Sequence, residues 1–272
     1  MQTIKLKSGN EIPLIGLGTW QMTGQECVET IKKAIDIGYI HIDTAEAYRN
    51  QKEIGRALKE SGADRSKLFI TSKVWLENLK HDDVIEACEQ TLSDLGTDYL
   101  DLYLVHWPNK SIHMEETFKA LNEIYNQGKI KSIGVSNFTI AHLREAMQHA
   151  EISMNQIEVH PHFYQDELIS FCKDNGIAVT AYSPLGRGDE LSDPVLEKIG
   201  DNHSKSAAQV CLRWLLQKGL VAIPKSTDDK HLKSNLQMFD WELTEDEMSE
   251  IDGLNKGERI IEPDFAEFDR TE

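Results

Sequence analysis

Eight short apolar runs punctuate the chain, and their regular spacing limits the folds open to it. They read "LIGLG", "YIHID", "LFITSKV", "LDLYLVHW", "IKSIGVS", "MNQIEV", "IAVTAY" and "LVAIP". Each is too short for a helix and rich in Ile, Val, Leu and Tyr, so each reads as a strand. They are mostly apolar rather than alternating, which suits parallel strands covered on both faces. One-sided helical patterns lie between them: Val28, Ile31, Ala34 and Ile35; Val84, Ala87, Cys88, Thr91, Leu92 and Leu95; Ala207, Val210, Cys211, Trp214 and Leu215. Apolar residues three and four apart share a helix face that must pack on something. Eight strand-then-helix units in 272 residues match the count and size of an α/β fold of the (β/α)8 TIM-barrel kind. An open doubly wound sheet is the alternative. It usually carries GxGxxG after its first strand, and "GLGTWQ" departs from that.

Two pieces stand outside the eight units. "TIKLKSGNEIPLIG" reads as a β-hairpin turning at Ser8, Gly9 and Asn10, expected to cap the barrel bottom. From Leu243 the chain reads as an amphipathic helix followed by an irregular tail. No linker, repeat or low-complexity segment appears, so residues 1–272 are expected to form a single domain.

Charge and cysteines narrow the partners. A net charge of -17 repels nucleic acid and anionic membranes, so neither is expected as a partner. The four cysteines, Cys27, Cys88, Cys172 and Cys211, show no CxxC spacing and sit within apolar helical patterns. They read as reduced, buried thiols of a cytoplasmic protein. The N-terminus does not read as a signal peptide, and no apolar stretch is long enough for a spanning helix.

In a (β/α)8 barrel the loops after the strands build the site. Past the first run stand Gly18, Thr19 and Trp20, and past the second Asp43 and Tyr48. The third ends in Lys73 and Trp75, the fourth in His106 and Trp107. Ser136 and Asn137 follow the fifth, and Gln156 lies in the sixth. Tyr182, Ser183 and Leu185 follow the seventh; Lys225, Ser226 and Thr227 follow the eighth. Asp43, Tyr48, Lys73 and His106 therefore converge on one rim. Singly, each has a plain structural reading as a cap, a packed ring, a solvated strand end or a core histidine. Together they make a chemically coherent set. A phenol is a weak acid, with an unperturbed pKa of about 10. A nearby ammonium lowers that value, and Lys73 can supply it. Asp43 can hold Lys73 in place and protonated. Tyr48 then serves as a general acid toward a carbonyl oxygen, and His106 can hydrogen-bond and orient that oxygen.

These residues resemble the aldo-keto reductase family nearly end to end, through "LIGLGTW", "GYIHIDTAEAYRNQKEIGRAL", "LFITSKVW", "LGTDYLDLYLVHWP", "KIKSIGVSNF", "NQIEVHP", "AYSPLG" and "AIPKST". The resemblance implies a (β/α)8 barrel, a catalytic tetrad of Asp43, Tyr48, Lys73 and His106, and a nicotinamide cofactor bound without a Rossmann domain. It implies that Ser136, Asn137 and Gln156 hold the nicotinamide amide and that Tyr182 stacks on the ring. Gly18, Thr19, Trp20, Asp43, Ser183, Leu185, Lys225, Ser226, Thr227, His231 and Asn235 are implied along the rest of the cofactor. Trp20, Tyr48, Trp75, His106 and Trp107 are implied around a small-molecule carbonyl substrate. The look is nearest to small prokaryotic members such as the 2,5-diketo-D-gluconate reductases, because the loops after His106 and Gly186 are short. Short loops imply an open cleft, and the family implies a monomer.

Ile40, Gln51 and His231 depart from the family pattern. The first two replace the usual Arg and Glu of the second-strand signature. His231 stands where NADPH-dependent members usually place an arginine near the 2′-phosphate. The basic cluster of Lys225, Lys230, His231 and Lys233 still predicts NADPH, with NADH as the weaker alternative. Two other readings compete. His160 and His162, two apart at a strand end, could hold a metal, but no matching set appears at the other strand ends, and no metal is expected. A non-enzymatic, cofactor-binding regulatory subunit could use the same fold; the complete tetrad argues against it.

Overall fold

The structure is a computed structural model describing residues 2–270. A hairpin comes first: β1 (Thr3–Lys5) pairs antiparallel with β2 (Glu11–Pro13). Its turn is closed by Leu6 N–H to the Asn10 carbonyl and Gly9 N–H to the Leu6 carbonyl. Gly9 has φ 90°, a conformation that glycine adopts without a Cβ penalty. The barrel then runs β3 (Leu17–Gly18), α1 (Gly24–Ile37), β4 (His41–Asp43), α2 (Gln51–Ser61), β5 (Phe69–Val74), α3 (His81–Leu95), β6 (Leu102–Val105), α4 (Met114–Asn126) and β7 (Ile133–Ser136). It continues through α5 (Ile140–Ala146), β8 (Met154–Glu158), α6 (Asp166–Asp174), β9 (Ala178–Tyr182), α7 (Pro194–His203), α8 (Ala207–Gln217), β10 (Val221–Ala222), α9 (Asp229–Leu236) and α10 (Glu245–Asp252).

Each apolar run is a strand, and β3 to β10 pair in chain order, every pair parallel. The first and last strands then meet. Gly16 N–H donates to the Ala222 carbonyl at 2.9 Å, Ala222 N–H to Leu14 at 2.9 Å, and Gly18 N–H to Pro224 at 3.2 Å. These bonds close the barrel and remove the sheet edges. A Cβ on Gly18 would come 2.7 Å from the Ile223 carbonyl oxygen, so close approach at this seam requires glycine.

The helices bury the faces their periodicity marks. α3 buries Val84, Ala87, Cys88, Thr91, Leu92 and Leu95, and α8 buries Val210, Cys211, Trp214 and Leu215. A Leu or Ile buried in this way contributes about 1.5–3 kcal/mol. The start of α8 is fixed by a capping box between Ser206 and Gln209. All four cysteines are free and buried. Among the described residues no helix is long and apolar enough to cross a membrane.

The hairpin sits under the barrel. Ser8 Oγ lies 2.8 Å from Ser132 Oγ, and Asn10 Nδ2 donates to the Lys131 carbonyl at 2.8 Å, just before β7 begins. The opposite rim is left open for the site. After α10 the irregular tail returns across that rim, where Lys256 N–H donates to the His162 carbonyl.

Candidate active site

β4 ends on Asp43, and β5 beside it carries Lys73. Lys73 Nζ donates to Asp43 Oδ1 at 2.5 Å and to the Thr44 carbonyl at 2.9 Å. Both side chains are shut off from solvent. Buried ions persist only when paired and hydrogen-bonded, and Gln156 Nε2 supplies a further bond to Asp43 Oδ2 at 2.8 Å. Burial pulls the Lys73 pKa below its usual value, opposed by the charge and hydrogen bond of Asp43.

Tyr48 closes a short 3₁₀ turn, Glu46–Tyr48, followed by Arg49 in the left-handed region at φ 55°. That reversal aims the phenol back over the strand ends. Its OH lies 3.5 Å from Lys73 Nζ, and its ring stands edge-on to His106 with centroids 5.7 Å apart. Glu46 fixes the turn by accepting from Trp75 N–H at 2.8 Å and Asn78 Nδ2 at 2.5 Å. Sequence reasoning passed over Glu46, which looks like any loop acid.

The expected lowering of the Tyr48 pKa by Lys73 is not what the geometry gives. Burial holds the phenol well above its ordinary value, and the charge of Asp43 raises it further. Asp43, in direct contact with Lys73, offsets the ammonium's field at the phenol. Tyr48 therefore keeps its proton through the neutral range.

His106 follows β6, and its backbone N–H donates to Val74 at 3.0 Å. Burial, then the charge of Lys73, holds its pKa well below the usual imidazole value. The ring is neutral, and its buried Nδ1 has no partner. A lone pair is less costly than an unpaired N–H at that atom, so the proton is assigned to Nε2.

The ends of β7, β8 and β9 form a second, braced group. Ser136 Oγ donates to the Gln156 carbonyl at 2.8 Å. Asn137, at φ 63°, donates through Nδ2 to the His106 carbonyl at 3.0 Å and to Ser136 Oγ at 3.1 Å. Tyr182 OH donates to Asn137 Oδ1 at 2.8 Å. Asparagine tolerates that left-handed backbone better than most residues, and these bonds hold it there.

A cleft of about 650 Å³ joins the two groups. Asp43, Tyr48 and His106 line it, as do Ser136, Asn137, Gln156 and Tyr182. Gly18, Thr19, Trp20, Trp75, Trp107, Ser183 and Lys225 complete the expected wall. Lys73 lies beneath it, reached through Tyr48 and Asp43. Leu185, Ser226, Thr227, His231 and Asn235 are outside this wall. Leu185 packs against the core, and Ser226 Oγ accepts from Asp228 N–H at 3.1 Å. Thr227 is half-buried in the same loop, and Asn235 is buried on α9. His231 is exposed in the first turn of α9, its Nδ1 3.8 Å from Asp228 Oδ1.

The three tryptophans differ. Trp20 stands on the rim with the Arg187 guanidinium 4.7 Å above its ring. Trp75 is half-buried, whereas Trp107 is almost fully buried. Both meet Phe265 edge-on, with centroids 5.7 and 5.4 Å apart. Phe265 arrives from the tail together with Ile261 and Pro263, and all three line the cleft. No periodicity in the tail signals this.

The remaining candidates have structural partners. His160 Nδ1 bonds Glu190, and its Nε2 lies 3.0 Å from Glu158 Oε1; His162 Nε2 lies 3.0 Å from Asp193 Oδ2. Both rings turn Nδ1 toward Glu190 Oε1, 3.5 Å away for His162, so a carboxylate oxygen occupies the point they share. Among the described residues no group of three or more His, Cys, Asp and Glu could hold a metal ion. Gln51 is buried away from the cleft, donating to Ser72 Oγ at 2.7 Å and accepting from Thr91 Oγ1 at 3.3 Å, and Ile40 packs against the core.

Comparison with known proteins accords with this arrangement. The family model described as "Aldo/keto reductase family" matches residues 14–256. A glyoxal reductase of Bacillus subtilis is 47% identical over 261 residues, covering 95% of this chain and 94% of that one. A 9,11-endoperoxide prostaglandin H2 reductase of Trypanosoma cruzi is 42% identical, with 94% and 93% covered. A solved structure provisionally assigned as a 2,5-diketo-D-gluconic acid reductase B superposes with a TM-score of 0.95 at 37% identity, covering 98% of this chain and 96% of that one. The chain belongs to the aldo/keto reductase family and is an NAD(P)H-dependent oxidoreductase of the carbonyl-reducing kind.

Proposed function

We propose that residues 1–272 act as one barrel domain that reduces small aldehydes, ketones and α-dicarbonyls to alcohols, with NADPH as the preferred reductant. The observation that carries this reading is the convergence of a protonated phenol, a neutral imidazole and a buried ammonium at one point of an open cleft. When bound, the nicotinamide supplies the hydride. Ser136, Asn137 and Gln156 present hydrogen-bonding groups suited to its carboxamide, and Tyr182 presents an aromatic ring beside them. The donor set thus fits the cofactor.

The chain's own residues handle the oxygen and the proton. His106 Nε2–H orients the substrate oxygen, and Tyr48 OH gives it a proton. The phenolate left behind is stabilised by Lys73, 3.5 Å away in the resting site, and Asp43 keeps Lys73 in place. Trp75, Trp107 and Phe265 give the cleft beside this exchange an apolar wall for the substrate's carbon skeleton. The direct test is loss of NADPH absorbance on addition of methylglyoxal or an aromatic aldehyde. No turnover with any carbonyl under either cofactor would overturn the reading.

His106→Ala is expected to lower kcat/KM by about 100-fold or more, in the range for a lost transition-state donor, and the loss should persist at saturating NADPH. A ring that only packs would instead lower thermal stability with turnover kept, so kinetics and Tm on this one variant separate the roles.

The preference for NADPH rests on Lys225, Lys230, His231 and Lys233, a basic stretch on an acidic protein. His231 projects into solvent and can offer one bond, whereas arginine offers a charged, two-pronged fork. His231→Arg should tighten NADPH by about 1–2 kcal/mol and leave NADH nearly unchanged. Fluorescence titration of both cofactors against both proteins checks this; equal gains would show that residue 231 does not face the phosphate. Free, buried cysteines suit a cytosolic protein, and we expect it to act as a monomer on a small-molecule carbonyl.

A further inference from the structure

The tail that completes the cleft is tied down by a buried cluster with no part in the chemistry above. Glu158 ends β8, and Glu190 lies in the loop after β9; they are 0% and 1% exposed. His160 stands between them, 1% exposed, with Nε2 3.0 Å from Glu158 Oε1 and Nδ1 bonded to Glu190 Oε1. Burial alone pulls its pKa down, but hydrogen bonds and charge from Glu158 and Glu190 outweigh it and lift the value to about 9. Burial likewise pushes the Glu158 pKa up, and the bonds from His160, Ile260 and Ile261 bring it below the ordinary value. At neutral pH an imidazolium therefore faces an ionised Glu158.

Glu158 also reaches the tail. Ile260 N–H donates to its Oε1 at 2.7 Å and Ile261 N–H to its Oε2 at 2.9 Å. One carboxylate thus grips two successive backbone amides in a segment without helix or strand. Bonds to an ionised acceptor are roughly twice as strong as neutral ones. Farther along, Glu267 accepts from Lys110 N–H at 2.7 Å, with His142 Nε2 3.3 Å away. Between these two anchors lies Phe265, set against Trp75 and Trp107 over the cleft.

We propose that Glu158 is a positioning residue for the substrate: by clasping the amides of Ile260 and Ile261 it holds Phe265 as an apolar wall of the cleft, and so sets the affinity for carbonyl compounds with bulky apolar groups. His160 and Glu190 act through Glu158 by fixing its position and charge. The proposal rests on the carbonyl-reductase reading for its substrate and on the tail contacts for its mechanism.

The test is Glu158→Gln in the full chain. The amide keeps one acceptor oxygen, replaces the other with a donor and removes the charge. Hydrogen exchange at the amides of Ile260 and Ile261 is expected to speed up about tenfold, the change for losing one bond to a charged group, while amides within α8 keep wild-type protection. KM for a bulky aromatic aldehyde should rise by about as much. KM for glyoxal and kcat for both substrates should stay nearly unchanged. In a Phe265→Ala background the same substitution should add little to the KM of the aromatic aldehyde, because residues acting through one another are not additive. Ile260→Pro is the second variant. It removes one donor, leaves the buried acids untouched, and should give the same KM split even if Glu158→Gln fails to fold. Exchange is read without turnover, so it tests the clasp even if no carbonyl proves to be a substrate. Unchanged exchange at both amides would overturn the proposal, as would equal KM changes for small and bulky aldehydes.

Discussion

Tyr48→Phe is expected to lower kcat by about 100- to 10,000-fold, the usual contribution of a general acid, while NADPH binding stays nearly intact. The substitution removes one oxygen and keeps the ring against His106. It therefore deletes the proton donor without opening a cavity. Steady-state turnover of methylglyoxal gives the loss, and fluorescence titration gives cofactor affinity. Near wild-type turnover would sink the assignment. A pH profile adds a second check. Burial and the charge of Asp43 raise the Tyr48 pKa, so the acid form is present at every pH below that raised value. Burial and the charge of Lys73 lower the His106 pKa, so the neutral ring is present at every pH above that lowered value. Between these limits neither group titrates, and kcat should be level from about pH 6 to 8, across the unperturbed histidine value. A break near the ordinary imidazole pKa would show that the His106 pKa is not lowered, and a loss of rate above that break would mean that the ring works as a cation.

The eight strands were legible because parallel strands buried on both faces leave unbroken apolar runs. The closing seam was less so. β3 and β10 are two residues each, and closure depends on backbone bonds made by Gly16, Gly18 and Ala222, which leave no side-chain signal. The residues at the strand ends could be named, and the structure brings Asp43, Tyr48, Lys73 and His106 together as expected. The balance of fields on Tyr48 could not be read. Its sign depends on Asp43 lying in contact with Lys73, a matter of distances rather than residue types. The tail was the least legible part. Phe265 reaches Trp75 and Trp107 because Glu158 holds Ile261, a partner 103 positions away in the chain. An irregular segment carries no period that could announce such a contact. His160 illustrates the same limit: its spacing from His162 suggested a metal pair, yet carboxylates from two different segments, Glu158 and Glu190, occupy both its nitrogens.

The buried ion pair beneath the cleft should respond most strongly in stability, and unevenly. Asp43→Ala is expected to cost about 3–5 kcal/mol, because it strands a charge in the interior. Lys73 would be left fully buried with the Thr44 carbonyl as its remaining strong acceptor. Replacing both partners with apolar residues, Asp43→Leu with Lys73→Met, should behave differently. In the folded protein burial outweighs the attraction of Asp43 for the Lys73 proton, so the Lys73 pKa lies below its ordinary value. A cationic group whose pKa falls on folding makes the charged form costlier in the native state than in the unfolded chain. Burial thus disfavours the Lys73 charge and Asp43 holds it, and a buried pair of this kind can often be replaced by packed apolar residues without loss of stability. The double variant should unfold at a temperature near or above that of the unmodified protein, and it should have lost nearly all turnover. Calorimetry on the single and double variants, with methylglyoxal reduction alongside, makes the comparison. If the double variant proves as unstable as Asp43→Ala alone, the pair stabilises the fold and its retention needs no catalytic reason. If it is stable and inactive, the charges beneath Tyr48 serve the reaction and are carried at the fold's cost.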